Sequence, residues 1–292
     1  MIVVTGASGQ LGRLVVKALL RSTSASQVIA MVRNRDKAGE LAAAGVEVRQ
    51  ADYDHPETLD AALKGAQKVL LISGTAVGRR VPQHRAVIEA ARKAKVQLFA
   101  YTSVLRAPTT PLAVGPEHRE TEAILTSSGL PWVLLRNGWY CENYLHRAMG
   151  AAASGTLVGC AGDGRISAAS RADYAEAAAA VLTHTNQAGR TYELAGDESF
   201  TLTELASELS RQLSRAISYR NVPEAEFRAS LEAAGIPSIY ATMMGKSDAA
   251  TVGGALLETG RQLSSLIARA TTPIHTVIAE AIRDGRIPKT SG

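Results

Sequence analysis

Cysteine is almost absent from this 292-residue chain, and the two present, Cys141 and Cys160, stand in no CxxC or Cys/His spacing. That argues against a disulfide framework and a cysteine-ligated metal, so no metal site is expected and the setting is expected to be reducing and cytoplasmic. Long apolar runs are missing too. Nothing approaches the roughly 20 residues that a membrane span needs, and the alanine-rich stretch 175–182 is too short and follows charged residues. The opening apolar run passes straight into Gly6 and Gly9, so no cleavable leader is expected. Lys and Arg are scattered rather than gathered in runs interleaved with aromatics, which makes nucleic acid an unexpected partner despite the net charge of +5. A phosphate-rich cofactor accounts for that excess as well. Repeats and low-complexity linkers are also lacking.

With 46% hydrophobic and 20% charged residues, the composition is that of a globular protein with a full-sized core. Its first half alternates short apolar runs with helical patterns. The reading places strands at 2–5, 28–32, 46–49, 68–72, 98–102 and 132–135, with helices at 10–21, 35–44, 56–63, 82–94 and 117–128. Several strand runs are apolar without alternation, as expected where helices cover both faces of a parallel sheet. The fold class predicted is α/β: a doubly wound, parallel-sheet Rossmann domain with a smaller α/β C-terminal lobe. The Rossmann domain is assigned residues 1–155, completed by a helix at 171–182 and a strand at 192–194 within 167–196. The lobe takes 197–292 with 156–166. In it the glycines Gly155, Gly159, Gly162 and Gly164 suggest turns around short strands, and Thr201 with Glu204 forms a capping box that opens a helix at 202–213. A second lobe helix is expected after Pro223.

The chemistry begins at TGASGQLG, residues 5–12, between the first strand and the first helix. A diphosphate needs backbone N–H groups aimed from a helix N-terminus with no Cβ in the way. Gly6 permits the tight turn, Gly9 lets the backbone approach phosphate, and Gly12 lets the helix lie close on the strand. The expected cradle is therefore Gly6, Ala7, Ser8, Gly9, Gln10, Leu11 and Gly12. The second strand ends at Arg33, where an NAD enzyme would carry an acidic residue, and a guanidinium there suits the 2′-phosphate of NADPH. The alternative is a solvated Arg33 with Asp36 on the ribose. Asp52 and Tyr53, ending the third strand, are candidates to border adenine, and Ser73, Gly74 and Thr75 to line the cofactor's middle. Both segments are also good turn sequences.

With TGASGQLG stand VRN (32–34), RQADY (49–53), LLIS (70–73), AYTS (100–103), LRNGWY (135–140), ENY (142–144) and SRADY (170–174). Together these resemble the NmrA-like branch of the atypical short-chain dehydrogenases, and within it the quinone-reducing members, over the whole chain. The resemblance implies an enzyme that passes hydride directly from NADPH to a quinone without flavin or metal, with the acceptor between the Rossmann domain and the lobe.

The Tyr-x-x-x-Lys pair of ordinary short-chain dehydrogenases is missing. His118 and Glu122 stand in its place at i, i+4, so His118 is a candidate proton donor. The competing reading makes 117–122 a solvated helix face. Asn137 is the candidate to hold a nicotinamide amide or a quinone oxygen, with Gly138, Trp139 and Tyr140 in the same crevice; Trp139 could equally be core, and Tyr140 and Tyr144 could be no more than an i, i+4 contact. Three functions stay open: a quinone reductase, a reductase of another flat acceptor such as a triphenylmethane dye, and an NADP(H)-binding redox sensor without turnover. Assembly is left between monomer and homodimer.

Overall fold

The computed structural model describes residues 1–288. Its frame is a set of strands whose side chains alternate between two apolar layers. In β1 (Ile2–Val4), Ile2 and Val4 face one core while Val3 faces the other. In β2 (Val28–Val32), Val28, Ala30 and Val32 take the first side and Ile29 and Met31 the second. A strand buried on both faces has no polar side to show, hence the unbroken apolar runs.

Between β1 and β2 lies α1 (Gln10–Leu19), and beyond β2 the short helix α2 (Gly39–Ala43) precedes the edge strand β3 (Glu47–Gln50). Then come α3 (Leu59–Ala62), β4 (Lys68–Leu71), α4 (Arg80–Lys93), β5 (Leu98–Val104), α5 (Gly115–Thr126) and β6 (Trp132–Asn137). After α6 (Leu145–Ser154), β7 (Thr156–Gly159) and α7 (Arg171–Thr183), the chain returns to the sheet as β8 (Arg190–Leu194). The strand order is β3-β2-β1-β4-β5-β6-β8, and every pairing is parallel. The order reverses between β1 and β4, so the loops at their carboxyl ends part and leave a crevice.

Helices α1 and α7 cover one face, close together because α7 buries Ala175, Ala177, Ala178 and Ala179. Helices α3, α4 and α5 cover the other. On α5 the buried stripe is Gly115, His118, Thr121, Glu122 and Leu125, mostly polar, so apolar periodicity gives no sign of which way this helix faces.

The lobe contains α8 (Leu202–Leu213), β9 (Ser218–Asn221), α9 (Glu224–Ala233), α10 (Ser238–Ala250), α11 (Gln262–Ile267) and α12 (Ile274–Arg283). The capping box is formed: Glu204 N–H donates to Thr201 Oγ1 at 3.1 Å and Thr201 N–H to Glu204 Oε2 at 2.9 Å. Strands β7 and β9 pair in parallel as a separate small sheet. Packing does not follow the sequence division to the residue. Helix α6 buries Leu145 and Ala148 in the lobe's core, while Leu263 of α11 packs with the core under α7. Among the described residues no helix is long and apolar enough to cross a membrane.

Candidate active site

At the carboxyl ends of the central strands opens a cavity of about 710 Å³. Gly6, with φ +58°, turns the chain sharply out of β1, and Gly9 N–H donates back to the Gly6 carbonyl at 2.9 Å. A Cβ on Gly12 would lie 2.4 Å from that carbonyl oxygen and 2.6 Å from Ala7 Cα, so glycine alone lets α1 sit this close. The first helical bond runs from Arg13 N–H to Gly9 O, and no side chain caps the helix at Gly9. The N–H groups of its first turn are therefore left to a ligand, at the positive end of the helix dipole. Gly6, Ser8, Gly9, Gln10, Leu11 and Gly12 all line the cavity. Ala7 does not; it is fully buried, and its N–H is held by Met31 O at 3.0 Å.

Arg33 lines the same cavity from the end of β2, exposed and with no ion pair among the described residues. Asp36, the alternative ribose ligand, is not in the lining; its backbone N–H donates to Asn34 Oδ1 at 2.8 Å, in a turn that leads away. Asp52 and Tyr53 both line the cavity. The Tyr53 hydroxyl is engaged with Thr5 Oγ1 and with Ile72 O at 3.2 Å, and burial raises its pKa well above that of a free phenol.

Ser73, Gly74 and Thr75 form the middle of the wall. The Gly74 peptide is clamped from both sides: its N–H donates to His84 Nε2 at 3.0 Å, and its carbonyl accepts from Arg80 Nε at 2.6 Å. His84 Nδ1 lies 3.1 Å from Thr121 Oγ1, whose hydrogen goes to Glu117 O, so Nδ1 carries the ring proton. Burial, and then the neighbouring Arg80 charge, push the His84 pKa down to about 3. Arg80 in turn is buried against Glu117 at 2.8 Å. Neither Arg80 nor His84 was singled out from the sequence, although their i, i+4 spacing on the inner face of a helix was the available signal.

The reading of 117–122 as a solvated face holds for Arg119 and Glu120, which are exposed, but fails for His118 and Glu122, each only 6% exposed. A shared face toward the cofactor is not formed either. His118 lines the cavity, and its Nδ1 lies 2.7 Å from the buried Tyr101 hydroxyl. Burial, then Arg80 and His84, lower its pKa to about 3, so its ring is neutral above that. Glu122 points away, between β5 and β6. It receives two bonds from Arg136 at 2.7 and 2.9 Å and one from Ser103 Oγ at 2.5 Å, while Arg136 also pairs with Glu193 at 2.8 Å.

Asn137, Gly138, Trp139 and Tyr140 converge on the cavity as a group. Asn137 Oδ1 is buried and without a partner among the described residues. Trp139 is half-buried, with part of its ring packed on the lobe's core. Tyr140 does not stack on Tyr144. It meets Tyr174 edge-on at 5.2 Å and carries the Arg171 guanidinium 4.8 Å above its ring, while Tyr144 packs on Phe200. Arg171 and Asn143, joined at 3.0 Å, and Met243 from α10 complete the wall; sequence reasoning had given them no role in the site. Local patterning could not place α10, 100 residues further on, over the end of β6.

Residues 6–185 match a family described as NAD(P)H-binding. The quinone oxidoreductase 2 of Escherichia coli is 49% identical over 94% of this chain and 96% of its own. An NmrA-like oxidoreductase of Aspergillus flavus is 31% identical over 77% of this chain and 75% of its own. Among solved structures, an NADPH-dependent quinone oxidoreductase from Escherichia coli in complex with NADPH superimposes with a TM-score of 0.94, at 48% identity over 96% of this chain and 99% of that one. A Citrobacter triphenylmethane reductase complexed with NADP(H) gives a TM-score of 0.92 at 35% identity, over 97% and 100% of the two chains.

Proposed function

The chain belongs to the NAD(P)H-binding, NmrA-like family of oxidoreductases, and from that membership we propose that it is an NADPH-dependent quinone reductase. The observation that carries this reading is the unpaired Asn137 Oδ1 at the buried end of the cavity. An amide oxygen left without a donor costs about 1–3 kcal/mol, and the carboxamide N–H of a nicotinamide supplies that donor. The opposite end fits the rest of the dinucleotide: the open first turn of α1 for the diphosphate and the unpaired Arg33 for the 2′-phosphate.

NADPH, when bound, supplies the hydride. The chain's own residues bind, orient and hold protons. The His84–Gly74–Arg80 clamp fixes the wall at the middle of the site, and Tyr140 with Arg171 fixes the floor next to Asn137. His118 Nδ1 is the partner of the Tyr101 hydroxyl, with the hydroxyls of Thr121 and Ser73 close by. With Tyr101 donating to Nδ1, the ring proton sits on Nε2, which has no partner among the described residues, on a ring that lines the cavity. A neutral N–H there stabilises negative charge that develops on an acceptor oxygen. A quinone asks for little more, because aromatisation stabilises the hydroquinone anion and water can complete its protonation.

The test is NADPH oxidation by flavin-stripped protein with a simple benzoquinone, run beside NADH and beside Asn137→Ala. Quinone-dependent oxidation that prefers NADPH, with a larger loss of turnover than of NADPH affinity in Asn137→Ala, is the expected result. Tight NADPH binding with no acceptor turned over would make the protein a sensor instead. The likeness to the triphenylmethane reductase supports a second acceptor class, so a triphenylmethane dye belongs in the same assay.

A further inference from the structure

A second cavity, of about 320 Å³, adjoins the main one and shares two lining residues with it, Val114 and Met243. It runs outward between the loop before α5 and the helix α10. Val77, Ala113 and Ile239 line it beyond the shared pair, and Thr242 adds to the α10 side. Ile239 stands on its outer part and is 54% exposed. No aromatic side chain lines this groove, so a second ring would find nothing to stack on. Its one carboxylate, Glu117, is already engaged by Arg80 and by the Gly78 N–H, and its one cation, Lys246, is exposed at the rim. With Ser238 and Thr242 the lining is mixed but mainly apolar, and the groove meets the site at Val114 and Met243.

We infer that this groove is a subsite for the aliphatic side chain of a substituted quinone, a prenyl or alkyl tail leaving the ring past Val114 and Met243. The inference rests on the quinone-reductase reading and narrows its substrate class to tailed quinones. The main cavity takes nicotinamide and ring, and a flexible tail of methylene width follows the apolar continuation past Val114 and Met243. Each methylene removed from water is worth about a fourfold gain in affinity at full burial. In a groove this open, one prenyl unit is expected to lower KM about tenfold.

The experiment compares a benzoquinone with and without a prenyl side chain, in wild type and in Ile239→Asp, by kcat/KM and by calorimetric titration of the corresponding hydroquinones into the NADP⁺ complex. The expected result is a preference for the tailed compound in both measurements that falls toward unity in Ile239→Asp. Ile239 is exposed, so its replacement does not threaten folding; Ala113→Asp, on the opposite wall, is the second variant and should act alike. Equal constants for the two quinones in wild type, or a tail preference that survives both substitutions, would overturn the subsite. An aryl substituent that gains where the prenyl group does not would overturn it as well. Failure to reduce either quinone would count against the reductase reading, not the groove, and the hydroquinone titrations would still decide the latter.

Discussion

The Tyr101 hydroxyl stands 2.7 Å from His118 Nδ1, inside the protein and beneath the wall of the active-site cavity. Buried and neighboured by Arg80 and His84, His118 is held neutral until the pH approaches about 3. In the proposed mechanism its part in turnover is therefore that of a neutral N–H donor rather than of an imidazolium. His118→Ala is expected to lower kcat by up to about 10²-fold without adding or removing an inflection in the neutral pH range. A wild-type inflection near the ordinary histidine value of 6.5 that vanished in the variant would show that this ring titrates in the working enzyme.

The same burial links His84 and His118 to acid stability. Both have folded-state pKa values lowered from 6.5 to about 3, so between those limits the unfolded chain binds protons that the folded chain does not. Stability contributed this way is complete above the unfolded value and is lost as pH falls. Each ring can add a slope of up to about 1.4 kcal/mol per pH unit. Urea midpoints measured across the window should fall less steeply in His118→Gln than in wild type; identical slopes would mean that the ring is accessible to protons in the folded state.

The Arg33 side chain has no ion pair among the described residues, and truncating it should therefore be felt mainly by a ligand. Arg33→Ala is expected to weaken NADPH by about 1.5–3 kcal/mol, roughly ten- to a hundredfold, while leaving NADH nearly unchanged. Fluorescence titration of both nucleotides decides this. Equal losses would move the 2′-phosphate contact elsewhere.

Two glycines in helices should respond in opposite directions. Gly12→Ala drives a methyl group into the backbone of Gly6 and Ala7, and an overpacking cost of about 1–3 kcal/mol is expected, together with weaker NADPH binding. Gly150→Ala, in α6 with nothing within 4 Å of the new Cβ, should stabilise by about 0.5–1 kcal/mol. Thermal melts of the two variants give the comparison, and an unaffected Gly12→Ala would mean that α1 can lift off its strand.

The glycine turn and the sheet were legible because both rest on local rules. Alternation of side chains along a strand, the conformational freedom of Gly6 and the missing Cβ of Gly12 act within a few residues, so they are written in order along the chain. The capping box of Thr201 and Glu204 was legible for the same reason, since its two bonds span three residues. Helix α5 was legible as a helix, but not the way it faces, because the face it buries is polar. A pattern of His, Thr and Glu reads as solvated until Tyr101, His84 and Arg136 are brought against it.

The sequence by itself determined the Rossmann frame, the glycine turn before α1 and the cationic end of β2, each fixed by backbone geometry or by the chemistry of one residue type at one position. Only the tertiary structure decided that Glu122 serves Arg136 instead of the cavity, that Arg80 and His84 clamp Gly74, and that Met243 from the lobe lines the cavity. The physical reason is distance along the chain. A buried charge or ring takes its role from whichever partner satisfies it, and those partners arrive from helices and strands that only packing brings together.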